Sequence, residues 1–216
     1  MEINTNRLAA FGPHVRHILL QNRTSGEIRS VLDYCPNVQS LSLWIIQHGQ
    51  CQETLLPALE DFARRRVLKS LSFDPSQFFQ MFDDVVPIPF AQLAFSSLTH
   101  LEIINATSSW EKWAQIADLP HLTHLAMSAW RNWTGFILMV LKECKFLQLF
   151  ILFETDGFYN NDTMTHDVAA GLESWREDQR VVILPPVMDH FNDWEIGARG
   201  GRDFWDTAEL AKTVRL

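Results

Sequence analysis

Imidazole and carboxylate groups are the side chains best suited to chemistry near neutral pH, and two histidines of this chain share one local frame. His100 stands in LTHLEI and His124 in LTHLAM, so the four letters LTHL occur twice, 24 residues apart. If both segments are strands of one parallel sheet, equal phase brings the imidazoles to a separation of about 4.8 Å, with Glu102 two residues along on the same face. Two histidines and a carboxylate are donors that zinc accepts. No further residue follows at metal-ligand spacing, however, so no metal is expected, and the trio reads as a polar recognition patch or merely as solvated surface.

Other candidates for catalysis are weaker. Cys35, Cys51 and Cys144 are odd in number, far apart and set in amphipathic stretches, which places them in a core or at helix ends. They also lack a C-x-x-C pair or a secretory signal at MEINTNRLAAFG, which points to a reduced, intracellular chain. The glycine-rich GARGG lacks the spacing of a phosphate loop and reads as a turn feeding a helix capped by Asp203. No catalytic residue and no cofactor is expected. The formal charge is -8, most of it carried from Thr155 onward, and the one basic run, ARRR at Ala63 to Arg66, fits the end of a helix. Nucleic acid is therefore not an expected partner. The apolar GFILMVLKECKFLQLFILF is interrupted by Lys142, Glu143 and Lys145, so no membrane span is expected.

The LTHL frame belongs to a longer series. An L-x-x-L-x-L skeleton fits Val15/Ile18/Leu20, Val38/Leu41/Leu43, Leu68/Leu71/Phe73, Leu98/Leu101/Ile103 and Leu122/Leu125/Met127, with further matches in FLQLFILF and RVVIL. Each x-L-x-L core alternates with the period of a half-buried strand, whereas the segments between carry helical spacing: SGEIRSVLDYC, CQETLLPALEDFARRR, SSWEKWAQIADL, TGFILMVLKEC and HDVAAGLESWRED. Ser25 and the Ser108/Glu111 pair supply plausible helix caps. One strand and one helix per 23 to 30 residues cannot bury an apolar face alone, so successive units must stack. The expectation is an α/β fold, a leucine-rich-repeat-like right-handed solenoid with a curved parallel sheet and helices on the convex side. Residues 1–186 would form six to seven irregular repeats, and residues 187–216 a C-terminal capping segment and helix. In FLQLFILF the buried set is either Leu149/Ile151 or Phe150/Leu152, and the sequence leaves both open.

Two segments carry a family resemblance. CPNVQSLSL, Cys35 to Leu43, resembles the cysteine-containing leucine-rich repeats of F-box proteins, and DWEIGARGGRDFWDTAEL resembles the tail of basidiomycete F-box or leucine-rich-repeat-like proteins. The resemblance implies selection of a target protein for a cullin-type ubiquitin ligase. Only some fourteen residues precede the first strand and no F-box fits there, so the link to a ligase would run through a missing F-box or a separate adaptor. The asparagine expected after each strand is present as Asn22 and Asn105 but replaced by Ile45, Pro75 and Ala129.

Repeat phase also maps a concave face for a protein partner: Trp44, Asp74, His100, Glu102, His124 and Ser128, with Trp44 its exposed aromatic. Strands near 147–153 and 181–184 are apolar on both faces, which demands a cover. The candidates are the insert ETDGFYNNDTMTHD, the tail with Trp194, Phe204 and Trp205, or another protein, and the tail is the one expected to act as the cap. Phe78, Phe79, Phe82, Pro87, Pro89 and Phe90 fill a long insert that reads as packing, with a partner-binding protrusion as the alternative. The function expected is a non-catalytic protein-binding module, with a stand-alone scaffold or decoy, or a small α/β hydrolase-like enzyme, as alternatives.

Overall fold

The structure, a computed structural model, describes residues 5–47, 51–107, 109–129, 134–154 and 174–214. Strands β1 (His17–Thr24), β2 (Ser40–Gln47), β3 (Ser70–Phe73), β4 (His100–Ile103), β5 (His124–Ala129), β6 (Leu149–Glu154) and β7 (Val181–Leu184) form one parallel sheet in chain order. Ile18, Leu41, Leu71, Leu101, Leu125, Phe150 and Val181 stand side by side across it. The chain enters the strands with a recurring device. The Arg16 carbonyl accepts the N–H groups of both Gln39 and Ser40, and the carbonyls of Gln39, Lys69, Thr99 and Thr123 do the same one strand further on. Because His124 pairs with Leu149, the set that faces the main core in β6 is Phe150/Leu152.

Helices α1 (Thr5–Phe11), α2 (Ser25–Tyr34), α3 (Cys51–Arg64), α4 (Pro75–Phe79), α5 (Trp110–Trp113) and α6 (Thr134–Glu143) lie against one face of the sheet. Apolar side chains at helical spacing make the contact: Ile28 and Leu32, Leu55, Leu59 and Phe62, and Phe136, Ile137 and Val140 are all buried there. The long insert joins the same core, where Phe73, Phe78, Phe79, Phe90, Phe95 and Trp113 form one ring cluster, mostly edge to face, with Phe73 and Phe95 stacked and Phe90 tilted on Trp113. Phe82 of that insert is exposed instead.

Two helix caps sit one residue away from where the sequence places them. Thr24, not Ser25, caps α2: its hydroxyl accepts from the Glu27 N–H while Glu27 reaches back to the Thr24 N–H. Ser109 caps α5, and Ser108 lies outside the described residues. The segment ETDGFYNNDTMTHD after its first residue, Glu154, and most of the helix expected after it also fall outside them.

The last two helices correct the expected arrangement. α7 (His190–Ala198) and α8 (Phe204–Val214) pack on the face opposite α1 to α6, where Ala126, Leu149, Ile151, Phe153, Val182 and Leu184 meet Phe204, Trp205, Ala208 and Ala211. Helices therefore cover both faces at β5 to β7. The reason is compositional: alternate positions of β6 and β7 are apolar as well, and burying them needs a second layer.

Candidate functional site

The tail is built to lie on the sheet. Asp189 caps α7 through the Asn192 N–H at 3.0 Å, and Asp203 caps α8 through the N–H groups of Trp205 and Asp206 at 2.9 and 3.1 Å. GARGG joins them as the expected turn, with Gly200 in the left-handed region at φ 81° and the Gly201 N–H donating to the Ile196 carbonyl. A side chain on Gly197 would collide with Asp203, so close approach of the two helices requires glycine there. Asp193 of α7 accepts the Phe204 N–H at 3.1 Å and fixes the angle between the helices.

Beneath this layer His100 and His124 meet as the repeat phase demands. Their rings stack at 4.0 Å, 15° from parallel, and Trp205 stands edge-on to both. The Nδ1 atoms lie 2.9 and 2.7 Å from the hydroxyls of Thr99 and Thr123, and His124 Nε2 lies 2.9 Å from Glu209 of α8. Burial, reinforced by the neighbouring His124, holds the His100 imidazole down to about 4, so it is neutral at pH 7. Burial also lowers His124, against the opposing pull of Glu209.

Glu102 is buried on the same face and pushed up to about 7, chiefly by loss of water, with Asp193 and Asp203 adding repulsion and the Ser72 hydroxyl relieving part of it. Ser72 in turn accepts the Trp44 indole N–H at 2.8 Å. His190 of α7 lies 3.9 Å from Glu102 and edge-on to Trp44 at 6.1 Å. Burial raises Asp193 and Asp203 too. Between the sheet and the tail lies a cleft of about 350 Å³, lined among others by His17, Ser70, Glu102, Asp193, Trp194 and Trp205.

The structure thus brings His100, Glu102, His124 and Trp44 together but under the tail, not on an open face. Trp44 is half-buried rather than an exposed aromatic. Asp74 stands apart from them as the N-cap of α4, accepting from the Gln77 N–H, and also accepts from the Asn105 amide. Ser128 pairs with Phe153 through the backbone, and its side chain lies outside the described residues. Trp194 lines the cleft instead of joining the apolar cluster under α8. Asp193, His190 and Glu209 are the site residues that repeat reading misses, because their positions depend on how the tail folds back and carry no periodic signal.

Ser72 is the hydroxyl next to Glu102, yet its hydrogen-bond partners are Trp44 and Glu102, so no imidazole stands ready to take its proton. Burial raises the thiols of Cys35, Cys51 and Cys144, the last to about 12, away from the nucleophilic thiolate. Among the described residues no group of three or more His, Cys, Asp or Glu is arranged to hold a metal ion, and no helix is long and apolar enough to cross a membrane. No family model, no curated protein and no solved structure matches the chain.

Proposed function

We propose that the chain is a leucine-rich-repeat-type solenoid that binds another protein without catalysis, using the sheet face that its own tail leaves uncovered. The observation that carries this reading is the division of that face. Over β5 to β7 it is apolar and sealed by α8, whereas over β1 to β3 it is mainly polar around Leu19 and Trp44, with His17, Gln21, Ser40 and Ser70 still accessible and the cleft opening beside them. A polar stripe beside a partly desolvated cleft with aromatic walls gives a partner both register and an anchor point. The likeness of CPNVQSLSL and of the tail to F-box-type repeat proteins supports a further step, in which the bound protein is a target for a cullin-type ubiquitin ligase reached through an F-box or adaptor. Residues 187–216 then serve as the cap that closes the solenoid and shapes the cleft.

The test is affinity capture with the chain and with a His17→Asp/Trp194→Ala variant. The expected result is a protein recovered by the former, lost by the latter, with the melting midpoint unchanged. Retention of that protein by the variant rejects this face as the binding surface. Adaptor and cullin subunits in the captured set support the ligase role, and a partner without them supports a free scaffold.

A further inference from the structure

The basic run ARRR ends in a residue that the fold uses differently from its neighbours. Arg64 pairs with Glu60 at 3.0 Å and Arg65 with Asp61 at 2.7 Å, each one helical turn back on α3. Arg66 lies past the helix end with φ 54°. Its N–H donates to the Ala63 carbonyl at 2.9 Å and the Val67 N–H to the Phe62 carbonyl at 3.1 Å, the paired bonds of a Schellman ending. The left-handed position of that ending favours glycine, and arginine occupies it against local preference. Those bonds also satisfy carbonyls at the helix terminus that would otherwise oppose an anion.

The Arg66 side chain lines a groove of about 780 Å³ that runs along the edge where the chain enters β3 to β6. Lys69 and His121 line it as well, at the turns before β3 and β5. Among the described residues the side chains of Arg66, Lys69 and His121 have no hydrogen-bond or ion-pair partner, and no Asp or Glu lines the groove, although the chain as a whole carries -8. Pro120 and the exposed ring of Phe146 form an apolar flank beside these side chains.

We propose that this groove binds a phosphate monoester: Arg66 grips two phosphate oxygens with its planar fork, Lys69 and His121 flank the remaining charge, and the organic part of the ester lies along Pro120 and Phe146. A guanidinium matches phosphate geometry bidentately, and unpaired cations with an apolar neighbour suit an ester better than the bare ion. The ester is either a small free molecule or a phosphorylated side chain. Lys69 and Thr99 line both this groove and the cleft under the tail, whereas Arg66, His121, Pro120 and Phe146 line the groove alone; the inference is carried by Arg66 and does not rest on the proposed protein-binding face.

Titration of the full chain with inorganic phosphate, phenyl phosphate, and a phosphoserine peptide with its unphosphorylated twin, followed by amide chemical shifts and calorimetry, tests it. Saturable binding of an ester that exceeds inorganic phosphate and perturbs Arg66, Lys69 and His121 is expected. A preference for the peptide assigns the ester to a phosphoprotein, and a preference for phenyl phosphate to a small molecule. Arg66→Gly should weaken binding about tenfold, the loss of one charge-assisted contact, while the melting midpoint holds or rises because glycine suits the left-handed turn. His17→Asp/Trp194→Ala should bind the ester as the unmodified chain does. Absence of saturable binding, equal response to sulfate and chloride, or full affinity in Arg66→Gly overturns the proposal.

Discussion

Ile45 shows how a single position departs from the repeat and what that costs. Asn22, Ile45 and Asn105 stand two residues after Leu20, Leu43 and Ile103, which share one phase, and all three adopt φ near 55°. Asparagine tolerates that region, whereas a β-branched side chain crowds the backbone there. Proline at the equivalent Pro75 cannot adopt it, and Asp74 starts α4 instead. Ile45 is exposed, so little packing repays the strain. Ile45→Asn should therefore raise stability by about 1 kcal/mol, read from the shift of a urea midpoint; a lower midpoint would show that the side chain earns its place by a contact. Glu102 makes a second demand at this scale. Its carboxyl goes from 4.5 to about 7 on folding, so its contribution is fully present below 4.5 and is lost as pH rises through 7. His100 has the opposite sign: its contribution is present above 6.5 and is lost as pH falls through about 4. Glu102→Gln keeps an acceptor for Ser72 and removes the charge. It should leave the unfolding free energy unchanged at pH 4 and raise it at pH 8, by at most about 3 kcal/mol. An equal shift at both pH values would mean that packing, not ionisation, was altered.

At the scale of the element, each strand and helix is held by the same few apolar positions, and these are what the sequence displays. Leu101 and Leu125 are fully buried in the main core, so replacing either by alanine should cost about 2–5 kcal/mol, measured by denaturant unfolding. The strands β1 to β5 and helices α2, α3 and α6 were legible because period-two and helical spacing repeat with the units. The register of β6 was not, since both of its faces are apolar and periodicity cannot tell one buried face from another. The short α5 hides a different surprise. Lys112 is buried there, with its ammonium 3.4 Å from Asp84 and over the Trp113 ring, holding the insert against the helix. Nothing in SSWEKWAQIADL marks that lysine as interior, because its partner comes from a distant loop. The site was legible in the same uneven way: His100, Glu102 and His124 were placed together by phase alone, while their cover came from long-range folding of the tail.

For the whole molecule, the question is what the tail does to the sheet face. Leu149, Ile151, Phe153, Val182 and Leu184 would form a contiguous apolar patch if α8 were absent, and patches of that kind on a soluble chain drive association. α8 seals it with one fully buried small residue, Ala208, flanked by Phe204 and Trp205, and is tied down by the His124–Glu209 contact and by Lys212 donating to the Gln148 carbonyl at 2.9 Å. α7 contributes no buried residue of its own and bridges to the cleft through Asp193 and His190. The apolar seal and the polar cleft are thus two ends of one lid. Ala208→Arg places a long cation where a methyl group touches the sheet, which should lift α8 without shortening the chain. The expected outcome is increased binding of an apolar fluorescent dye and a tendency to self-associate, with far-ultraviolet circular dichroism nearly unchanged because the main core lies on the other side of the sheet. Deletion from Asp189 onward should give the same signature more strongly, since it also uncovers Glu102 and the stacked histidines. If Ala208→Arg left dye binding and association state as they were, α8 would not be the element that keeps this face from water, and the cleft would have to be held by α7 alone.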